Sequence, residues 1–317
     1  MIDLSAELCE WRDAGDYVNV QPFARKVFYR DFGNRQANAQ NTLLLLHGFP
    51  ESSFSYHKVI EGLGQRFERI VAFDMLGYGF SDKPDDYSYS LVPQADVALQ
   101  IWQQLGITGG HIISHDMGTS VLTELVTRHA QDQLPAWLSD GFQSFTFTNG
   151  SMVLHLAKLR LMQKLLLSKL GSLISRQARY SLFYKTIVSA HGVAVGESQG
   201  LSEDDIQNLW QSCVQQNGHQ KNHLIIRYLN DRKRFETSRW LPAMAEAAQT
   251  VPTHICWGTA DQVARVSMAH YLKESVCPDA LMTLMPGAGH FCQLGSPDLW
   301  NEKVGDFYDE IRKTRPN

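Results

Sequence analysis

The sequence lacks the features that mark several large classes of protein. Its five cysteines are an odd number without a CxxC pair, which indicates neither a disulfide framework nor a thiolate zinc site. No apolar run reaches the roughly 20 residues of a membrane span, and early acids replace the pattern of a secretory signal. With 23 Gly and 11 Pro in 317 residues, a low-complexity chain is excluded. A net charge of −4 argues against nucleic-acid binding. We expect a globular protein of the cytoplasm.

Short apolar runs recur along the chain and are separated by longer segments of mixed composition. Runs of this kind are typical of strands covered on both faces, as in a parallel sheet with crossover helices. They lie at residues 42–46, 69–73, 109–114, 143–148, 253–257 and 281–285. Amphipathic patterns predict helices near residues 93–105, 118–130, 265–275 and 298–313. The sequence therefore predicts an α/β fold with a mostly parallel sheet flanked by helices.

This alternation stops between about residues 151 and 245, where the pattern becomes helical. Apolar residues predicted to share one helix face are Met162, Leu165, Leu166, Leu170, Leu173 and Ile174. A further helix is indicated by Ser202, which has an acid three positions later, as helix N-caps often do. We predict a core made of residues 1–150 and 246–317, interrupted by an inserted helical cap of residues 151–245.

Residues 114–118, Ser-His-Asp-Met-Gly, lie between a predicted strand and a predicted helix. A sharp strand-to-helix turn needs small residues two positions before and after its centre, because the chain approaches other segments closely there. Such a turn holds its central side chain above the edge of the sheet, and the central residue here is Asp116. Ser114 fits that position poorly, since Ile112 and Asp116 would then occupy the small positions.

Five segments resemble, in the same order, the α/β-hydrolases with an aspartate nucleophile, the group that contains epoxide hydrolases and haloalkane dehalogenases. They are residues 47–52, 74–82, 114–118, 257–261 and 287–291. The resemblance covers nearly the whole chain. It implies the α/β-hydrolase fold, with a mostly parallel eight-stranded sheet and a cap, and a hydrolase that needs no cofactor.

The order of the candidate residues gives each a predicted role. Asp116 is the nucleophile, because a carboxylate can attack an sp3 carbon that bears an epoxide oxygen or a halide. His290 is the base that activates water to hydrolyse the resulting ester, and Asp261 is the acid that orients the imidazole. The motif places the backbone N–H groups of Phe49 and Met117 as donors to the oxyanion of the intermediate. In relatives the bond that corresponds to Phe49–Pro50 is commonly cis.

Two reactions remain open for this site. Epoxide opening needs an acid, and relatives use cap tyrosines for it: Tyr228 takes the place of the second, and Tyr180 or Tyr184 could supply the first. Dehalogenation needs donors for the halide, typically a Trp after the nucleophile, where this chain has Met117, and Phe49 replaces the Asn of some relatives. The sequence therefore favours hydrolysis of an epoxide to a diol. A hypothesis of another class is a binding or signalling module built on a hydrolase fold.

Two further patterns bear on metals and partners. His219 and His223 have helical i, i+4 spacing but no evident third ligand, so we predict no metal. Residues 151–185 hold seven Lys or Arg and no Asp or Glu; subtracting that +7 from −4 leaves −11 for the rest of the chain. We favour a solvated face over an apolar lid, and the alternative is contact with an anionic membrane or an acidic partner. The expected substrate is small and apolar, and membrane contact would favour a lipid-derived epoxide.

Overall fold

An eight-stranded sheet forms the centre of the computed structural model, which describes residues 3–314. The strands are β1 (Asp16–Val20), β2 (Arg25–Gly33), β3 (Thr42–Leu46), β4 (Arg69–Phe73), β5 (Gly109–His115), β6 (Gly141–Thr148), β7 (Thr253–Gly258) and β8 (Leu281–Met285). Their spatial order is β1-β2-β4-β3-β5-β6-β7-β8. The strand β2 pairs antiparallel with β1 and β4, and the other neighbours pair in parallel. This confirms the predicted fold class.

Helices connect the strands and cover both faces of the sheet. They are α1 (Ala6–Asp13), α2 (Ile60–Gly64), α3 (Leu91–Gln104), α4 (Met117–Ala130), α5 (Leu161–Leu167), α6 (Gly171–Arg176), α7 (Tyr180–His191), α8 (Glu203–Val214), α9 (Asn222–Ile225), α10 (Tyr228–Phe235), α11 (Leu241–Ala247), α12 (Val266–Tyr271), α13 (Cys292–Gly295) and α14 (Pro297–Thr314). Three of them, α4, α12 and α14, begin within one residue of their predicted starts. No helix within residues 3–314 has the length and apolar character needed to cross a bilayer.

The core consists of two apolar layers, one on each face of the sheet. Side chains of a strand point alternately to opposite faces, and β3 shows this directly. Leu44 and Leu46 pack in the layer that contains Trp102 of α3, whereas Leu43 and Leu45 pack in the layer formed with α2 and α14. All five residues of β3 are buried. This burial on both faces explains why its sequence is a continuous apolar run instead of an alternating one.

Seven helices, α5 to α11, lie between β6 and β7 in the chain, and the described residues 149–252 contain no strand. The helix α8 begins as predicted: the Ser202 hydroxyl accepts from the Asp205 amide at 3.0 Å, and the Asp205 carboxylate accepts from the Ser202 amide at 2.9 Å. The predicted apolar face of residues 162–174 is wrong. The chain breaks between α5 and α6, and Leu165, Leu170 and Leu173 are exposed.

The carboxyl ends of the parallel strands lie at one edge of the sheet. In folds of this type, ligands bind at that edge because the loops that follow the strands converge there. Asp116 follows β5 directly, Asp261 follows β7, and His290 follows β8. The loop after β3 contains Phe49. The fold thus brings together residues that are far apart in the sequence.

Candidate active site

Asp116 occupies a strained turn between β5 and α4. Its φ of 46° and ψ of −113° lie outside the regions that an L-residue ordinarily adopts. Gly118 must be glycine, because an added Cβ would lie 2.5 Å from the carbonyl oxygens of Leu46 and His47. Ser114 is fully buried and its hydroxyl donates to the Thr146 carbonyl at 3.0 Å, so it faces away from any substrate. The turn therefore presents the carboxylate of Asp116 and not the hydroxyl of Ser114.

The Asp116 carboxylate contacts one of the two predicted backbone donors, the amide of Phe49. The Phe49 amide donates to Oδ1 at 2.9 Å, and the Phe49–Pro50 bond is cis. The amide of Met117 opens α4, where the first N–H groups lack partners within the helix. Burial raises the pKa of Asp116, but the hydrogen bond and charge of His290, with the charge of Arg232, outweigh it and hold that pKa well below its usual range. The carboxylate is therefore ionised at neutral pH.

His290 lies between the two carboxylates. Its Nε2 is 3.5 Å from Asp116 Oδ2, and its Nδ1 donates to Asp261 Oδ2 at 2.8 Å. Burial lowers the pKa of His290, but the charges of Asp261 and Asp116 and their hydrogen bonds raise it to about 10. The imidazole is therefore protonated at neutral pH while Asp116 is charged.

Asp261 is held in place by three donors besides His290. The amides of Val263 and Ala264 donate to Oδ1 at 2.6 and 2.9 Å, and Asn149 Nδ2 donates to Oδ2 at 2.7 Å. Asn149 directly follows β6. In this chain an amide at that position supports the carboxylate that stands after β7.

A cavity opens above Asp116 and His290, and most of the side chains that line it are apolar. Tyr228, at the start of α10, lines this cavity with them. Burial, together with the charge of Asp116, raises the pKa of Tyr228, so its hydroxyl keeps its proton at neutral pH. Tyr180 and Tyr184 belong to α7 but are not among the lining residues. The geometry thus brings one of the three candidate tyrosines to the site.

Arg232 was not predicted as a site residue. Its side chain is 1% exposed and lies one helical turn after Tyr228, with the guanidinium 4.7 Å from the ring centre. Nε donates to the Ser120 hydroxyl at 2.8 Å, and both terminal nitrogens lack a hydrogen-bond partner among the described residues. The sequence does not indicate this buried cation beside Asp116, because arginine in a polar helical segment ordinarily lies at the surface.

A network of buried polar side chains links the segments that carry Asp116 and His290. His115, which precedes Asp116, donates through Nε2 to the carbonyl of His290 at 2.8 Å. Its Nδ1 lies 2.6 Å from Glu51 Oε1, and Glu51 Oε2 accepts from Gln293 at 2.8 Å. The Glu51 and His115 side chains are wholly buried. The pair fixes the backbone of His290 relative to the turn that carries Asp116.

His219 and His223 do not share one regular helix, although their spacing in the sequence is helical. A 3₁₀ stretch with positive φ at Gln216 and Asn217 holds His219, whereas His223 belongs to α9. Within residues 3–314 no group of three or more His, Cys, Asp or Glu side chains has the geometry to hold a metal ion. The five cysteines are free thiols.

The sheet, its crossover helices and the acid, histidine and strained turn at its carboxyl edge define the class. Residues 41–297 match the family model for the alpha/beta hydrolase fold, and the chain belongs to that family, as its sequence motifs predict.

Individual relatives align with almost the whole length of this chain. A putative hydrolase, LipZ, from Mycobacterium tuberculosis is 34% identical over 300 residues, 94% of this chain and 96% of that protein. The human mesoderm-specific transcript homolog protein is 29% identical over 299 residues, 93% of this chain and 85% of that protein. The crystal structure of a haloalkane dehalogenase variant from Bradyrhizobium elkanii has a TM-score of 0.72 at 18% identity, covering 95% and 97% of the two chains. That likeness shows the fold alone.

Proposed function

We propose that this α/β hydrolase opens epoxides to diols through an alkyl ester formed on Asp116. The observation that carries the proposal is the position of the Asp116 carboxylate relative to the Phe49 amide, His290 and the cavity. Oδ1 accepts from the Phe49 amide at 2.9 Å, and Oδ2 lies 3.5 Å from His290 Nε2. The group lines a cavity that is mainly apolar. An ionised carboxylate with little water around it is a nucleophile toward a strained sp3 carbon, and the apolar walls favour a small apolar substrate.

In the first step, a carboxylate oxygen of Asp116 attacks an epoxide carbon, and the bond between that carbon and the ring oxygen breaks. The leaving oxygen takes the proton of the Tyr228 hydroxyl. The phenolate formed is a stronger base than imidazole, so it regains a proton that comes, directly or through water, from the imidazolium of His290. Asp116 is then a neutral ester, and His290 is neutral as well.

The neutral state of His290 follows from the charges around it. In the free enzyme the charges of Asp261 and Asp116 both raise its pKa. Ester formation removes the charge of Asp116, so the pKa of His290 falls. Neutral imidazole is the form that can accept a proton from water. One histidine can therefore be a cation during alkylation and a base during hydrolysis.

In the second step, water attacks the carbonyl carbon of the ester while His290 takes one of its protons. The N–H groups of Phe49 and Met117 donate to the oxyanion, and loss of such a donor typically costs about 10² to 10³ in rate. The intermediate collapses, and the departing diol oxygen takes the proton from His290. The carboxylic acid of Asp116, which now contains an oxygen from water, gives its proton to His290 and restores the ion pair.

Carbon–halogen hydrolysis would use the same nucleophile but needs donors for the halide. Trp210 and Asn222 line the cavity, and they are the groups that favour this second reaction. Met117 and Phe49 stand where a tryptophan and an asparagine would be expected. Epoxide opening needs only the acid that Tyr228 supplies, so we rank it first.

The test uses the purified enzyme with a panel of epoxides and a matched panel of haloalkanes. A single turnover in ¹⁸O-water should place the label in the Asp116 carboxylate, measured by mass spectrometry of the peptide. His290→Gln should accumulate the ester as an adduct of the substrate's mass, and Asp116→Asn should form no adduct. Turnover of an epoxide with unlabelled Asp116 would refute the covalent mechanism. Turnover of haloalkanes alone would select dehalogenation, and no reaction with either panel would favour a binding or signalling module.

A further inference from the structure

Exposed leucines are concentrated in one short stretch of the chain. Seven large apolar side chains among the described residues are exposed, and five of them are Leu161, Leu165, Leu170, Leu173 and Leu182. Leu161 and Leu170 are 74% and 62% exposed. Single exposed apolar residues are ordinary on a protein surface, but a concentration of them marks an interaction site. The leucines belong to α5, to α7 and to the segment that forms α6.

The same stretch is strongly basic. Residues 141–196 contain no Asp or Glu, and their seven cations all lie between residues 158 and 185. Six of these cations are exposed, namely Lys158, Lys164, Lys169, Arg176, Arg179 and Lys185. None of the seven is within ion-pair distance of a carboxylate in residues 3–314. We call the exposed leucines and these six cations the basic leucine surface.

The basic leucine surface is the outer side of a wall of the cavity. Met162 and Leu166 of α5, and Ile174 of α6, line the cavity beside Asp116, whereas Leu161 and Leu173 on the same helices are exposed. Leu182 belongs to both sides: it lines the cavity and is 43% exposed. A partner seated on this surface would therefore lie next to the cavity.

We propose that the basic leucine surface binds an anionic lipid bilayer. Leucines flanked by lysine and arginine suit the interface of a membrane, where apolar side chains enter the acyl boundary and cations contact the headgroups. A net charge of −11 on the rest of the chain repels the same bilayer and so orients the protein with this surface inward. A second copy is a poor partner, because a two-fold interface would set the six exposed cations against themselves.

Binding to the bilayer does not depend on the reaction at Asp116. The consequence for substrate does rest on the proposed function: an epoxide dissolved in the bilayer could enter beside Leu182 without crossing water. The two ideas fail separately, since one is measured by vesicle binding without substrate and the other by turnover of epoxides in solution.

The test is flotation of the full chain with vesicles of phosphatidylcholine and phosphatidylglycerol, and with vesicles of phosphatidylcholine alone. We expect binding to the anionic vesicles only, and weaker binding as salt rises. Each basic residue near such a surface strengthens binding by about fivefold, so Lys164→Gln/Lys169→Gln should weaken it by about 30-fold. Leu161→Ser/Leu173→Ser removes two side chains that would be buried and should weaken it by about tenfold or more.

Matched controls use exposed residues elsewhere. Phe23 is 64% exposed, and Lys26 and Lys313 are also exposed; Phe23→Ser and Lys26→Gln/Lys313→Gln should bind as the unchanged protein does. Equal loss in the controls, no dependence on anionic lipid, or no binding would overturn the proposal. A dimer in light scattering that Leu161→Ser/Leu173→Ser dissociates, with no vesicle binding, would assign the surface to self-association.

Discussion

Replacing Asp261 by Asn should slow hydrolysis of the enzyme ester by about 10² to 10⁴. The pKa of His290 is raised from 6.5 to about 10, which corresponds to about 5 kcal/mol in favour of the imidazolium. Asp261 and Asp116 share this effect in the free enzyme, but in the ester only Asp261 remains charged. If Asp261 supplies between half and all of this stabilisation, Asp261→Asn removes about 3 to 5 kcal/mol from the transition state of hydrolysis, in which His290 becomes positive.

Rapid quenching and intact-protein mass spectrometry measure this step directly. With an epoxide in excess, Asp261→Asn should form the ester and then hold most of the enzyme as the adduct, whereas the unchanged enzyme should show little. The decay of the adduct after removal of the epoxide gives the hydrolysis rate. The same measurement separates a slow second step from a failure to bind.

A second variant tests whether the slower hydrolysis in Asp261→Asn results from the lost charge or from a disturbed fold. Asn149 Nδ2 lies 2.7 Å from Asp261 Oδ2, so Asn149→Asp/Asp261→Asn keeps one carboxylate and one amide in the same contact. This exchange should recover about tenfold or more of the lost rate, as coupled neighbours do, while Asn149→Ala/Asp261→Asn should not. If Asp261→Asn hydrolyses the ester within about tenfold of the unchanged enzyme, the assigned role of Asp261 is wrong.

Three further predictions concern the tyrosine, the charge of the histidine and a buried lysine. Tyr228→Phe should slow ester formation from epoxides by about 10² to 10⁴, the usual contribution of a general acid, and leave ester decay unchanged; equal slowing of both steps would contradict the role. The pKa of His290 is about 10 in the folded protein and thus above that of the unfolded chain. The contribution of protonated His290 to the free energy of unfolding is therefore complete below pH 6.5 and is lost as pH rises through 10. Urea unfolding of His290→Gln should show a shallower decline over that range, and parallel curves would refute the assignment. Lys83 donates to the carbonyl oxygens of Gly79 and Ser81, both at 2.7 Å, so Lys83→Met should lower the free energy of unfolding by about 1 to 3 kcal/mol; unchanged stability would show that these bonds contribute nothing net.

The strands that were predictable are the six on the parallel side of the sheet, from β3 to β8, and all but the half-buried edge strand β8 are mostly buried. Short runs rich in apolar or β-branched residues identified these strands, because a strand covered by helices on both sides needs no polar face. The strands β1 and β2 were not predicted. They form the antiparallel edge of the sheet, and Arg25, Arg30 and Asp31 give β2 a polar character that resembles a loop. The predictable part of the sheet is thus its parallel part.

Positions in the site were predictable where the backbone requires a particular residue. Gly118 is needed for close approach to β3 and so marks the turn of Asp116 in the sequence. Tyr228 could be placed only by resemblance, and Arg232 was not found, because no local pattern says which polar residue of a helix will be buried against the site. Contacts across the sheet edge depend on how α10 packs, which sequence spacing does not determine.

The leucines of α5 and α6 show a limit of hydrophobic periodicity. Spacing of three and four residues predicts an apolar helix face, but it does not say whether that face meets the protein core or another apolar phase. Leu166 packs in the core, whereas Leu170 and Leu173 do not, although all three fit one pattern. The surrounding charges distinguish the two cases. A stripe that faces the core needs no flanking cations, whereas one that faces an anionic bilayer gains from each of them, so the absence of acids from residues 141–196 carries information that the spacing of the leucines lacks.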